Sequence, residues 1–476
     1  VSASHFVRAR LWARPPARAV IVCIAAFAAL DPRSSLGAQG ANAGHAAAQP
    51  TARPTARDSA PPLTLDSVYA LVAARSPRAR AAAALARAAD SRVPGAARPP
   101  DPEVQLGFMN YSLPGLTPDA TLGMAQLQVM QMVPTRGKLS AATGAARARA
   151  DAAHARAVDS WWEARTAAAG AFYERYEAAG AVTIAGETRR LLEDVAAVAS
   201  AMYRVGDGRQ ADVLRARVEI ARMDEEVTRM LALLAGATAR LAAAADTSAA
   251  AVDAPPMLPR FPDTLPTVDA LEQLALEARP LLVAGAADAR AADADARLAR
   301  RELWPDLQVG VQYGQRRMEM GIDRMGSLMI GASLPVFARS RQLRAREEAE
   351  AMQAMARAEL AVLRAETRSR IAEGLAALAS TQRLRALYRS TVLPHAEAAT
   401  TSSLASYRSG GVDFMTVIDN RMDVNRYRRE LLALDAAEGR AWAELEMLVG
   451  QPLLAALGHL PTPGTVRGDA RSGGLR

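Results

Sequence analysis

The sequence predicts a mainly α-helical chain with a membrane β-barrel part, built from two tandem copies of one long-helix hairpin. Three observations carry this. Landmarks of the first half recur in the second at a near-constant offset. Each half holds a helical pattern too long for a compact domain, and each holds two segments that are apolar on one face only. Composition agrees: half of the chain is apolar, 4% is aromatic, and alanine dominates stretches such as 81–89 and 241–251. So few large side chains fill a thick core badly, yet they let helices pack closely along their length.

The N-terminus is read first. Arg8, Arg10, Arg14 and Arg18 precede the apolar run Ala19 to Leu30, and small residues follow at Gly37 and Ala38. Basic, apolar, then small is the order of a secretory signal peptide, expected here over residues 1–38. The run is too short to span a bilayer as a helix. Cys23 lies inside it after Val22, whereas a lipid-bearing cysteine follows the apolar run and a small residue. As the only cysteine, it excludes an internal disulfide framework and a cysteine zinc site. Residues 39–62 are rich in Ala, Gly, Pro, Thr and Gln without periodicity and are expected to form a disordered leader. Beyond them there is no run of eighteen apolar residues, so no transmembrane helix is expected. An exported chain of this kind belongs in the periplasm, the outer membrane or the medium.

The charge balance is bland once the leader is set aside. The net charge of +8 drops to about +4 when five arginines and one aspartate leave with the signal peptide. Of the 58 basic residues only Lys138 is a lysine, and the arginines are scattered among acids. A nucleic-acid-binding protein clusters its basic residues into a patch. None is present here.

Duplication organises the rest. Asp66 and Pro77 recur as Asp269 and Pro280, both at an offset of 203. Asp101-Pro102-Glu103-Val104-Gln105-Leu106-Gly107 recurs as Trp304-Pro305-Asp306-Leu307-Gln308-Val309-Gly310 at the same offset. Pro134 pairs with Pro335, and Tyr203-Arg204-Val205-Gly206 with Tyr407-Arg408-Ser409-Gly410. The repeats are therefore placed at 63–252 and 267–455, with a Pro-rich linker at 253–266 and a disordered tail at 456–476.

Each repeat has one grammar. A helical stretch (64–92 and 267–301) leads to a Pro/Gly break. Two strands follow, at about 103–112 with 123–133 and at about 306–316 with 326–336. A very long helix then covers 138–202 or 340–406, a glycine turn interrupts it, and a helix of some 35–40 residues returns. At roughly 1.5 Å per residue, a helix of about 65 residues rises on the order of 100 Å. Such helices pack as coiled coils, with Ala, Leu and Val in the seams and Arg, Glu and Asp towards water. Pro394 is expected to kink the second of them.

The strands show where the chain lives. Leu307, Val309, Val311 and Tyr313 share one face, and Gln308, Gly310, Gln312 and Gly314 the other. Leu328, Ile330, Ala332 and Leu334 oppose Ser327, Met329, Gly331 and Ser333. Val104, Leu106 and Phe108 oppose Gln105, Gly107 and Met109, and Leu127 and Val129 oppose Gln126 and Gln128. About ten residues, apolar on one face and small or polar on the other, is the pattern of an outer-membrane strand. Trp304, Tyr313, Phe337, Phe108 and Tyr111 fall near strand ends, as interfacial aromatics do. Four strands cannot close a barrel, because lipid tolerates no open sheet edge. Several chains must combine: a dimer offers eight strands and a trimer twelve.

These residues resemble the TolC-type outer-membrane efflux protein family, over about 63–455. The resemblance rests on the duplicated helix–strand–strand–helix–turn–helix order and on local motifs. Those are Asp101-Pro102-Glu103 and Trp304-Pro305-Asp306, where the strands begin, Pro134-Thr135-Arg136-Gly137-Lys138, where a strand ends, and the turns from Tyr203 and Tyr407. It implies a homotrimer with a twelve-stranded barrel continued by a twelve-helix periplasmic tunnel. It also implies two partners, a periplasmic adaptor (membrane fusion protein) and an inner-membrane pump of RND type, with no enzymatic activity and no cofactor. Tyr203, Gly206, Gly208, Tyr407, Gly410 and Gly411 match the helix tips that meet the adaptor. Asp419 matches a position whose carboxylates ring the periplasmic aperture, and Asp212 sits at the equivalent place of the first repeat. Their plainer role is to complement a helix dipole. The neighbouring acidic position is here Thr416, which thins the ring.

Cargo is the least specified feature. The strand regions hold Met109, Met124, Met130, Met132, Met318, Met320, Met325 and Met329. Thioethers take soft Cu(I) or Ag(I), with Met109, Met130, Met132, Met318 and Met320 as the candidate ligands. Methionine also packs adaptably against lipid. The segment from Gly107 to Lys138 looks most like the cation-efflux (CusC- and CzcC-like) branch, which favours heavy metals over other small toxic compounds. Histidines are dispersed without ligand spacing, and there is no phosphate loop, HExxH or GxSxG motif. Two rival readings share much of the pattern: a type I protein-secretion duct, and a soluble periplasmic coiled-coil scaffold.

Overall fold

The computed structural model describes residues 61–456, apart from 113, 116, 120, 121, 136, 319 and 320. The expected signal peptide, nearly all of the leader and tail, Cys23 and Met320 lie outside the described residues.

Each repeat opens on a capped helix pair. Thr64 caps α1 (Leu65–Arg75), accepting from the Ser67 N–H, and Thr267 caps the equivalent α5 (Val268–Ala278) through the Ala270 N–H. Both helices stop where a proline begins the next one. These are α2 (Pro77–Asp90) and α6 (Pro280–Arg301). The stretches 64–92 and 267–301 are thus broken helices, because Pro77 and Pro280 cannot continue the preceding ladder.

The strands are β1 (Glu103–Met109), β2 (Met124–Val133), β3 (Asp306–Met318) and β4 (Gly321–Ser333). They form one antiparallel sheet in chain order, so β2 of the first repeat pairs with β3 of the second. Three boundaries differ from expectation. The first strand is interrupted at Asn110, which takes a left-handed φ of 54°, before Tyr111–Ser112 resumes in a small ladder with Thr117–Pro118. The last strand begins at Gly321 instead of 326 and ends at Ser333 instead of 336. Its early part was hidden because Asp323 and Arg324 break the apolar alternation, while Pro335 removes the donor needed to extend it.

The long helices behave as predicted. α3 (Lys138–Val205) is unbroken over 68 residues and packs along α2, α6, α4 (Gln210–Ala244) and α9 (Phe414–Val449). Its counterpart is α7 (Gln342–Leu387), which continues through a π-helical turn at Tyr388–Val392 into α8 (Leu393–Arg408). Pro394, the residue expected to kink this helix, follows that turn, and the π turn accommodates its missing N–H without ending the helical run. α4 is long and apolar enough to cross a membrane by length and composition, which the apolar-run criterion missed. It packs along α3 instead.

Alanine lets these rods approach closely, and glycine takes over where a large ring must fit. A Cβ on Gly439 of α9 would lie 2.1 Å from Cε1 of Tyr173, a fully buried residue of α3. Gly439→Ala must displace that ring and is expected to cost about 1–3 kcal/mol, read as a lowered thermal midpoint. The linker is fastened rather than loose. Buried Arg175 donates to the backbone carbonyls of Asp253 (2.7 Å) and Ala254 (2.8 Å) and to Thr238 Oγ1.

Candidate functional site

The sheet has two unlike faces, and the register carries each across all four strands. On one face Val104, Leu106, Leu127, Val129, Leu307, Val309, Val311, Leu328 and Ile330 all stand exposed, up to 74% for Ile330. Nothing among the described residues covers them. Contiguous exposed apolar surface of this kind marks a membrane or partner contact. At the hairpin end Phe108 meets Tyr111 edge-on at 5.2 Å, close to the row of Tyr313, and at the helix end Trp304 and Phe337 are exposed. The opposite face carries Gln105, Gln126, Gln128, Gln308, Gln312 and Ser327. Gln126 and Gln312 are hydrogen-bonded across the two repeats. Among the described residues β1 and β4 are the two edges of the sheet and pair with no further strand.

The only lysine ties the strands to the helices. Gly137 adopts φ 89°, which lets the chain turn from β2 into α3 and buries Lys138. Lys138 Nζ donates to Asp306 Oδ1 and to the Trp304 carbonyl, each at 2.8 Å, while the Thr135 N–H donates to the same carboxylate oxygen at 3.0 Å. One repeat's strand exit is thereby tied to the other's strand start. Lys138→Met strands Asp306 without its ion partner and is expected to cost about 2 kcal/mol. Heat resistance of the purified protein measures the loss. Sequence reading singled out Lys138 for its rarity and as the last residue of the strand-exit motif, but not for this ion pair, because its partner lies 168 positions away.

At the far end the two helix tips close on each other. Gly206 (φ 89°) and Gly410 (φ 74°) take the left-handed conformation expected of helix C-caps. Gly208 has no positive φ, but a Cβ there would sit 2.8 Å from the Tyr203 nitrogen. Gly411 donates its N–H to the Ser406 carbonyl at 2.8 Å. The two tyrosines differ. Tyr203 is exposed, whereas Tyr407 is buried edge-on against Phe414 and donates its hydroxyl to Asp212 Oδ2 at 3.3 Å. Burial, with Asp212 adding, pushes the Tyr407 hydroxyl up to about 12. Leu192 and Val195 from α3, Met223 from α4 and Val417 and Ile418 from α9 complete a tip core shared by both repeats.

Asp212 and Asp419 therefore sit differently, the first half-buried under Tyr407 and the second exposed on α9. Met109, Met130, Met132 and Met318 all lie on the polar sheet face, none of them towards the apolar side. Among the described residues no group of three or more His, Cys, Asp or Glu side chains converges to hold a metal.

Residues 271–451, most of the second repeat, match the family model described as Outer membrane efflux protein. That family consists of non-enzymatic channels of the outer membrane that extend into the periplasm. No curated protein matches the chain in sequence. Three solved structures are similar in fold. One is CusC, at 17% identity and a TM-score of 0.70, covering 81% of this chain and 92% of that one. VceC of Vibrio cholerae stands at 19% and 0.69, covering 81% and 96%. The MtrE outer membrane channel of Neisseria gonorrhoeae stands at 15% and 0.66, covering 82% and 89%.

Proposed function

We propose that this chain is one protomer of a homotrimeric outer-membrane efflux channel. In this reading three four-stranded sheets close a twelve-stranded barrel, and the long helices continue it as a twelve-helix periplasmic tunnel. The channel is the exit duct of a tripartite system. It passively conducts heavy-metal cations or small toxic compounds that an inner-membrane pump of RND type delivers through a periplasmic adaptor. The observation that carries the reading is the exposed apolar face of a sheet with both edges open. Water makes that face costly, while lipid and a second copy satisfy it. The same face counts against a soluble scaffold.

Two experiments test the proposal. The protein should fractionate with outer membranes, need detergent for extraction and cross-link as a trimer; a soluble monomer sinks it. Deleting the gene should sensitise cells to at least one agent in a panel of Cu, Ag, Zn, Co, Cd and drugs, and sensitivity to no metal removes the cation assignment.

The tips take two further roles. Tyr203, Gly206, Gly208, Gly410 and Gly411 form the adaptor-docking ends, and Asp212 and Asp419 line the aperture. Bulky residues at Gly206 and Gly410 should abolish export and leave the trimer intact. Tyr407 is the bolt between the repeats. Tyr407→Phe combined with Asp212→Asn removes the hydrogen bond between these two side chains and is expected to make cells several-fold leakier to a large hydrophilic antibiotic. Alkali should mimic the double variant. A tyrosine raised from 10 to about 12 favours the folded contact fully below pH 10 and loses that contribution between 10 and 12. Purified channel conductance should stay flat up to about pH 10 and rise above it.

A further inference from the structure

The methionines of the four described strands are sorted by face without exception. Strand alternation and register put Met109, Met124, Met130, Met132, Met318, Met325 and Met329 on the polar face. No methionine stands on the apolar face of any of the four strands, and no Leu, Ile, Val or Phe stands on the polar one. Methionine used as adaptable filler against lipid belongs on the apolar side. Here the polar wall excludes every hydrocarbon side chain and admits only the thioether.

Glycines then bring the thioethers together. Met130, Gly310 and Met329 form one cross-strand row over β2, β3 and β4. A Cβ on Gly310 would lie 3.1 Å from Met130 Cγ and 3.5 Å from Met329 Cε, so both side chains converge over the bare glycine. Four residues on, about 13 Å along the strand, the row is Gln126, Gly314 and Met325, and Met124 lies in the next row, opposite Arg316. There the Met124 sulfur leans to 3.1 Å from the Cβ position of Gly314, whose β4 partner is Met325. The Met130/Met329 pair offers two neutral soft sulfurs, a donor set that suits a monovalent d10 cation and gives little to Zn(II).

We propose that the inner barrel wall binds Cu(I) or Ag(I) at the methionine pair Met130/Met329, a station on the exit path. This rests on reading the polar face as the inner wall of a channel. No change of oxidation state is involved: the ion exchanges water for thioether and leaves with its charge.

The test uses the purified full chain in detergent, with Ag(I) as probe and Zn(II) as control. It is compared with a variant carrying Met130→Leu and Met329→Leu, which keeps side-chain volume. The wild type should retain Ag(I) through gel filtration with sulfur neighbours in its X-ray absorption spectrum. The variant should bind at least about tenfold more weakly while remaining in the outer membrane at the same level. Equal Ag(I) affinity in the two proteins overturns the site. So does weaker drug conductance by the variant with unchanged silver binding, since the methionines then serve apolar cargo. Detergent-extracted trimer that binds no Ag(I) removes this site and leaves the channel reading standing, whereas extraction without detergent removes the channel reading.

Discussion

A single arginine at Val311 or Leu328 should nearly abolish the channel, while arginine one position on, at Gln312 or Ser327, should be tolerated. Val311 and Leu328 face each other across β3 and β4 near mid-strand and are 58% and 69% exposed. In an aqueous protein such positions accept arginine within about 0.5 kcal/mol. In a barrel the same change places a guanidinium at the bilayer midplane and costs about 2–4 kcal/mol per chain. In the proposed trimer the cost falls on all three chains. Gln312 and Ser327 lie one residue further along the same strands, on the polar face, where a charge meets water. The measurement is the amount of heat-resistant trimer in the outer-membrane fraction. Equal amounts for Val311→Arg and Gln312→Arg mean that the apolar face does not meet lipid.

This contrast also shows which features the sequence made legible. Period-two alternation and the order of helices survive in any single stretch of chain, so the strands, the long rods and the duplication could be read directly. Strand ends were less visible. Arg316 and Asp323, an ion pair at 3.9 Å, extend the β3–β4 ladder beyond the apolar band, and charge masks the alternation there. Features that depend on register or on distant partners stayed hidden. Met130 and Met329 become neighbours only once Gly310 is placed between them. The burial of Tyr407 depends on Asp212, 195 positions earlier, and the Gly439 contact on a ring of the other repeat. Sequence alone ranked Tyr203 and Tyr407 as equivalents; packing separates them, one exposed and one bolted.

Loss of Glu446 should be the most damaging change outside the strands. Its side chain is 2% exposed and joins three parts of the chain. One oxygen accepts from Arg165 at 2.8 Å, and the other accepts the N–H groups of Leu453 (2.9 Å) and Leu454 (3.2 Å), where α9 ends. The Arg165 guanidinium in turn stacks over the Tyr69 ring at 3.9 Å, which fastens α1 of the first repeat to α9 of the second. Glu446→Ala leaves a guanidinium and two backbone donors without their acceptor, at an expected cost of about 3–5 kcal/mol. Burial lifts the Glu446 carboxyl above the usual range, against the pull of Arg165 and the two N–H groups. The folded state therefore holds this proton more tightly than the unfolded chain does. Its contribution is full below the unfolded value of 4.5 and falls as pH rises through the folded one. Glu446→Gln keeps the acceptor for Leu453 and Leu454 and drops the charge, so it should cost far less than alanine and flatten stability above pH 4.5. A combined Arg165→Met and Glu446→Leu variant should recover part of the alanine loss, because two matched apolar groups replace a buried pair more cheaply than one orphaned charge. Thermal midpoints of the four proteins across pH decide it: if glutamine is as damaging as alanine at every pH, the junction depends on the charge itself and not on the acceptor.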